Sequence, residues 1–291
     1  MMRQGAARIA VLVAAALSTG CAGLRFGLAN APTYVGSLKR LADQAYGPGP
    51  REKLDVYAPA AARNLPVVIF WHGGGWTGGS RGAYRFVGAA LASRGLVAVL
   101  PDYSLYPEAR FPGFLREPAR AVAWVQQHAR EFGGDPHCIV LMGHSAGAYM
   151  GAFLAYRHSL LREAGANPDW ICGFVGLSGP YVLNPNTKVL NAIFAAPSTL
   201  QDWQPARFVD AKAPPTLLIH GLDDEVVEPA QSAALEAALK NAGVPVSTVF
   251  VPHRSHADTV ASFAWVARSR TPALQLSVEF VNSVKQTGRS P

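Results

Sequence analysis

Four short stretches of this chain carry residue types suited to nucleophilic chemistry. Gly143-His144-Ser145-Ala146-Gly147 follows an apolar run and opens a stretch with helical spacing. A serine set between glycines at a strand-to-helix turn can stand with its hydroxyl exposed, because larger flanking side chains would collide with neighbouring backbone. The helix N-terminus beyond it favours a developing negative charge. Ser145 is therefore the candidate nucleophile. His72-Gly73-Gly74-Gly75-Trp76 closes an earlier apolar run. Consecutive glycines let backbone N–H groups point into a cavity, as an oxyanion hole requires. Gly74 and Gly75 are candidate donors, together with the N–H of Ala146.

An acid and a base are available further on. His220-Gly221-Leu222-Asp223-Asp224-Glu225-Val226-Val227 follows the next-to-last apolar run. An aspartate in such a loop can hold an imidazole in one tautomer and stabilise its charged form; capping a turn is the plainer role for one of the two. Pro252-His253-Arg254-Ser255-His256-Ala257-Asp258 follows the last run, and one of its histidines is the candidate general base. Two other readings compete. Gly73-x-Gly75-x-x-Gly78 has the form of a dinucleotide-binding fingerprint, but Asp102 lies beyond the roughly 20-residue spacing of the ribose-binding acid, and the next helix starts too late to meet a pyrophosphate. The two histidines three apart could ligate a metal, but no third ligand accompanies them. No cofactor and no metal are expected.

The elements that must carry these residues alternate. Strand-like runs occur at Leu54–Tyr57, Val67–Trp71, Leu96–Leu100, Ile139–Gly143, Ile171–Leu177, Thr216–His220 and Val246–Val251. Helical spacing falls between them at Ala83–Ala92, Ala119–Phe132, Ala146–Arg157 and Ala230–Asn241. Continuously apolar runs such as Val67-Val68-Ile69-Phe70 suit strands buried on both faces of a parallel sheet. The pattern predicts one α/β domain over residues 46–291, with a mostly parallel central sheet and helices on both faces. Residues 182–215 break the rhythm with five prolines and no clean strand, and read as a small lid or insertion. Residues 21–45 read as a tether with a weak helix around Ser37–Gln44.

Hydrophobic residues make up 49% of the chain and charged residues 15%, which suits a large core and argues against disorder. The net charge of +7 falls to +5 once Arg3 and Arg8 are set aside, and the remaining cations are scattered singly. That is a solvated surface, and no nucleic-acid partner is expected. Arg3 and Arg8 precede an uncharged run, Ile9–Leu17, too short to span a bilayer but right for a signal peptide over residues 1–20. Its end, Leu17-Ser18-Thr19-Gly20-Cys21-Ala22, resembles the bacterial lipoprotein cleavage box, with Ser18 where that box usually has Leu. Export to the cell envelope or periplasm follows, with lipidation at Cys21 anchoring the chain to a membrane. Cys138 and Cys172 are expected as buried thiols, a disulfide being the alternative in an oxidising compartment.

Taken together, these motifs resemble the carboxylesterases of the α/β-hydrolase superfamily, most nearly the branch of isoprenylcysteine methylesterases, kynurenine formamidases and related bacterial esterases. The likeness runs from about Tyr46 to Arg270. It also rests on Leu54-Asp55-Val56-Tyr57, Asp102-Tyr103, Phe132-Gly133-Gly134-Asp135-Pro136 and His256-x-Asp258. The resemblance implies the α/β-hydrolase fold and a Ser145–Asp224–His256 triad, since such families take the acid four residues after the His of the His-Gly turn and the base from the His-x-Asp ending. It implies oxyanion donors at Gly74, Gly75 and Ala146, and a small-molecule ester as substrate. Relatives commonly carry Arg where this chain has Ser104, and many carry Asp where Glu117 stands, so a salt link behind the site is expected to be rearranged. Trp76, Tyr103, Tyr106, Tyr149 and Tyr181 are candidates for the pocket wall or for core packing. Arylformamidase-like amidase, thioesterase or envelope-glycan deacetylase activity could use the same residues, and a non-catalytic binding lipoprotein is the alternative outside enzymes.

Overall fold

A computed structural model of the chain describes residues 29–30, 38–195 and 199–287. The expected signal peptide and Cys21 lie outside the described residues. Among the described residues, eight strands form one sheet in the order β1-β2-β4-β3-β5-β6-β7-β8. They are β1 Leu38–Ala45, β2 Lys53–Pro59, β3 Leu65–Trp71, β4 Val97–Pro101, β5 Gly134–His144, β6 Ile171–Leu177, β7 Thr216–Gly221 and β8 Val246–Val251. β2 pairs antiparallel with β1 on one side and with β4 on the other, and all other pairs are parallel. The helices are α1 Arg85–Ala92, α2 Gly113–His128, α3 Ala146–Tyr156, α4 His158–Glu163, α5 Lys188–Ile193, α6 Ala230–Asn241, α7 Asp258–Ala261 and α8 Ala273–Thr287.

Both faces of the central strands are dry, which explains their unbroken apolar runs. Val67, Ile69, Trp71, Ile139 and Leu141 point into one core with Phe114 and Val122 of α2, Met150 and Phe153 of α3, and Leu235 of α6. Val68, Phe70, Val140 and Met142, the alternate residues, point into a second core with Val87 and Leu91 of α1 and Leu274 and Val281 of α8. This is the period-two alternation of a strand with each face covered by helices. Every residue of α3 is buried, so this helix has no polar face to show. α8 was not anticipated, although Ala273, Leu274, Val281 and Val284 share one helical face and are buried.

Two expectations are corrected. Residues 38–45 are not a tethered helix but the edge strand β1, paired with β2 from Leu38↔Pro59 to Ala45↔Lys53. Leu38, Leu41 and Ala42 have helical spacing, but a tertiary cluster decides otherwise. Buried Asp55 of β2 accepts from Arg40 Nη2 at 2.7 Å and from the backbone N–H of Asp43 at 3.0 Å. Arg81 joins Asp55 to Asp43 and Asp102, binding the antiparallel edge to the end of β4. The second correction concerns Cys138 on β5 and Cys172 on β6, which are bonded as a disulfide with their Cα atoms 5.3 Å apart. Parallel pairing of the strands, with Ile139 opposite Ile171, brings the two side by side.

The bridge closes a loop of 34 residues, for which loss of unfolded-state entropy stabilises the fold by about 3–4 kcal/mol. The Cys138→Ser/Cys172→Ser protein should lose about that much in urea denaturation. Titration of two free thiols in the unreduced wild type would contradict the pairing.

Candidate active site

The site lies where β3, β5, β7 and β8 end. Ser145 follows β5 with φ 56° and ψ −122°, a backbone conformation that costs a non-glycine residue on the order of 1–3 kcal/mol. It is held there from both sides: the Ser145 N–H donates to Leu177 O at 2.9 Å, and its carbonyl accepts from Tyr149 N–H at 3.1 Å. The turn closes tightly because residue 147 has no side chain, since a Cβ there would stand 2.1 Å from the carbonyl oxygen of Trp71. Ala146 is the first residue of α3, so its N–H belongs to the first-turn group that has no partner within the helix.

The loop after β3 lies against this turn, for a Cβ on Gly73 would be 3.1 Å from Ser145 Cβ. Gly74 has φ 128°, a conformation that favours glycine, and its carbonyl accepts from Thr77 and Gly78 at 3.1 Å each. Gly74 and Gly75 thus follow directly on the residue that packs against the serine turn, and Ala146 opens the helix beyond it. Behind the loop, the Tyr103 ring stacks on His72 at 4.4 Å and its hydroxyl donates to His72 O at 2.9 Å. Asp102 accepts from Arg81 N–H at 2.6 Å and lies 3.3 Å from His72 Nε2. Burial alone would raise its pKa, but His72 and Arg81 outweigh that and hold it below the usual carboxylate range. Asp102 is therefore engaged with its own chain, and the glycine run leads into a turn, with α1 starting only at Arg85. Glu117 accepts the Ser104 N–H at 2.6 Å, while Arg51 donates to Tyr103 O at 2.7 Å.

The acid and base loops meet because Gly221, at the end of β7, packs on the loop that follows β8; a Cβ there would be 2.2 Å from Arg254 O. His256 Nδ1 donates to Asp224 Oδ2 at 2.8 Å. The other oxygen of Asp224 accepts from the N–H groups of Val226 and Val227 at 2.9 and 2.8 Å. A further imidazole, which the motif reading had not singled out, completes the set: His220 Nε2 lies 3.1 Å from Asp224 Oδ2 and 2.8 Å from Val227 O. A carbonyl can only accept, so Nε2 carries the proton, and Nδ1 accepts from Ser232 Oγ at 2.7 Å. Burial raises the Asp224 pKa, but the bonds from His220, His256 and Val227 more than reverse this and hold it far below the carboxylate range. The other Asp–His pair is different in kind. His253 lies 3.8 Å from Asp223, and their side chains are 92% and 61% exposed, against 15% and 0% for His256 and Asp224.

His144, between Gly143 and Ser145, is buried against this assembly. Its Nε2 donates to the backbone carbonyl of His256 at 3.0 Å, and the two rings lie 4.7 Å apart. Burial, followed by the proximity of His256, pushes its pKa down to about 3, so it stays uncharged. Asp258 fastens the start of the same loop, accepting from Ser255 N–H and Oγ at 2.9 Å each. Of the aromatic candidates, Trp76 and Tyr149 pack edge to face at 5.1 Å beside the glycine loop and the serine helix. Phe194 and Trp203, from residues 182–215, join them: Phe194 lies 5.1 Å from Trp76, and Trp203 O accepts from Tyr149 Oη at 2.7 Å. Tyr103 and Tyr181 are fully buried, and Tyr106 stacks under Arg110.

A serine on a strained turn beside a glycine loop, with an Asp-held imidazole in a loop tied to the same strand, is an arrangement suited to acyl transfer. The family model described as the prolyl oligopeptidase family matches residues 119–283, and one described as BD-FAE matches residues 54–167. The chain belongs to the prolyl oligopeptidase family, with the α/β-hydrolase fold. Esterase LipQ of Mycobacterium tuberculosis is 31% identical over 87% of this chain and 66% of its own length. A probable isoprenylcysteine alpha-carbonyl methylesterase of Arabidopsis thaliana is 29% identical over 73% of this chain and 56% of its own. The chain therefore spans between about half and two thirds of the length of these curated relatives. The crystal structure of Esterase B from Lactobacillus rhamnosis inhibited by a tributyrin phosphonate superposes with a TM-score of 0.79 over 96% of each chain, at 21% identity. At that identity the likeness is one of fold.

The contrast between the two Asp–His pairs yields a ranking. Asp224→Asn and His256→Ala should each lower kcat at least a hundredfold, because the first strands the imidazole in the wrong tautomer and the second removes it. Asp223→Asn and His253→Ala should cost less than about tenfold. Steady-state kinetics on folded proteins checks the order, and the reverse order would move the pair to residues 223 and 253.

Proposed function

We propose that this chain is a serine carboxylesterase that hydrolyses small to medium carboxylic esters through an acyl-enzyme. The observation that carries the reading is the half-buried 2.8 Å bond from His256 Nδ1 to Asp224, made in a loop that lies against the Ser145 turn. It leaves Nε2 as the nitrogen that exchanges protons. Relatives named as esterases and as a methylesterase support an ester substrate.

In this mechanism Ser145 Oγ attacks the ester carbonyl carbon as His256 Nε2 takes the hydroxyl proton. The carbonyl oxygen, now negative, is held by the N–H groups of Gly74, Gly75 and Ala146. Collapse breaks the bond to the alcohol oxygen, which leaves with the proton from His256. Water then gives a proton to His256 and attacks the acyl-enzyme, and the second collapse returns Ser145 and releases the acid. Asp224 stays ionised throughout and stabilises the imidazolium formed in each half-reaction. Trp76, Tyr149, Phe194 and Trp203 pack together beside the glycine loop and the serine helix, and back the site on that side.

Ser145→Ala should reduce hydrolysis of a p-nitrophenyl ester to background and abolish fluorophosphonate labelling, with circular dichroism unchanged. Retention of more than about a tenth of the wild-type rate would refute the assignment, since loss of a nucleophile costs several orders of magnitude. A panel of esters of graded acyl and alcohol size, with an arylformamide included, reads out the substrate range.

The proposal extends to location. The Leu17–Ala22 box and the Cys138–Cys172 disulfide both fit an exported, lipid-anchored protein in the cell envelope. Mass spectrometry of the mature protein should find an N-terminus at Cys21 carrying a diacylglycerol group, and Cys21→Ser should release the enzyme from membranes. An intact Met1 terminus in a soluble cytosolic fraction would contradict it.

A further inference from the structure

We propose that His144 is a positioning residue: its Nε2–H ties the main-chain carbonyl of His256 to the strand that presents Ser145, so that base and nucleophile keep one geometry. This rests on the reading of Ser145 as nucleophile and His256 as base.

The two residues are 112 apart in sequence, and the bond between them measures 3.0 Å. His144 ends β5, and the next residue is the nucleophile, so whatever His144 grips is held relative to Ser145 through a single peptide unit. His256 is gripped at two points: its ring by Asp224 through Nδ1 at 2.8 Å, and its backbone by His144. A ring bonded through one nitrogen alone can still swing about that bond, and a second anchor on the backbone removes the swing. The same carbonyl accepts from Thr259 Oγ1 at 3.2 Å, and Thr259 in turn meets Ser178 Oγ at 3.1 Å beyond the end of β6. That path braces the loop against its neighbour, whereas the His144 path runs straight to the nucleophile's own strand.

The choice of residue type also needs an explanation. His144 Nδ1 is buried without a hydrogen-bond partner among the described residues, and burying an unpaired polar atom is unfavourable. An apolar side chain would avoid that penalty. The bond from Nε2 is what an apolar side chain could not make. The ring also fills the space between two loops, standing 4.7 Å from the His256 ring on one side, while on the other a Cβ on Gly73 would come within 2.9 Å of its Nδ1. A charged donor in that space would repel the imidazolium that His256 becomes in each half-reaction. A neutral imidazole donates the bond without the repulsion.

The test compares His144→Leu, His144→Gln and His144→Asn with the wild type, using p-nitrophenyl ester kinetics, fluorophosphonate labelling rates and thermal unfolding. A glutamine amide nitrogen lies as many bonds from Cβ as His144 Nε2, and an asparagine amide nitrogen one bond fewer. His144→Leu should lower kcat and the labelling rate together by about 10–100-fold, the cost of a misplacement near 1 Å, with KM within about threefold. His144→Gln should recover kcat to within about fivefold of wild type, and His144→Asn should not. A folded Leu variant with kcat within threefold of wild type overturns the proposal, as does a change confined to KM. If the Leu variant does not fold, the Gln and Asn proteins decide, and equal kcat values for those two overturn it. Ser145→Ala separates the two levels of inference: if it retains activity the esterase reading fails, and if it is inactive while the His144 variants behave like wild type only this inference fails.

Discussion

A carboxylate removed from water keeps its charge only when enough donors replace the water, and Asp224 meets that demand with every lone pair it can offer. Two backbone N–H groups serve one oxygen and two imidazoles the other. Removing one partner from such a buried charge costs about 3–5 kcal/mol. The turn after β7, the loop after β8 and the start of α6, which supplies Ser232 to His220, are therefore held to a narrow set of positions. His256 inherits its orientation from that charge, and the bond from His144 to its carbonyl joins its loop to the strand that leads into Ser145.

The sheet makes this possible by ending its strands together. Trp71, Gly143 and Gly176 are register neighbours, as are Gly176 and Leu218, and Leu218 and Thr248. The loop with Gly74 and Gly75, the Ser145 turn and the loops that carry Asp224 and His256 all leave from just beyond that row. In a parallel sheet with both faces covered by helices, the C-terminal edge is where loops can converge without crossing the core. Close approach does the rest: α3 presses its first turn onto the end of β3 at Gly147, and the His-Gly turn presses onto the base loop at Gly221. The strain at Ser145 is borne by contacts already made for packing.

The opposite edge of the sheet is organised by a second set of buried charges. Asp55 and Asp102 share Arg81, Arg40 bonds Asp55, and Arg51 lies 3.5 Å from Asp102. Asp102 also touches His72, so the network that pins β1 and β2 reaches the back of the glycine loop after β3. One aspartate thus joins the edge network to the loop after β3. The Asp102-Tyr103 pair thus does a structural job behind the site, with Tyr103 stacked on His72.

What the sequence determined by itself was local. Val67-Val68-Ile69-Phe70 can be buried on both faces only as an inner strand, and a Gly-His-Ser-Ala-Gly run between a strand and a helix admits few conformations. The central strands, three of the four anticipated helices to within two residues and the motifs that carry the candidate site were therefore legible. Choosing Asp224 and His256 over their neighbours required likeness to a family, because two Asp and two His sit within three residues of each other. Only the tertiary structure separates the pairs physically, by burying one and leaving the other in solvent. It alone decided that residues 38–45 pair as a strand, since the deciding partners, Asp55 and Arg81, lie outside any local window. It alone joined Cys138 to Cys172, because their nearness comes from strand pairing and not from spacing. And it alone set His220 on the acid and His144 on the base, since a histidine's role is fixed by the atoms its two nitrogens meet, and those atoms come from distant parts of the chain.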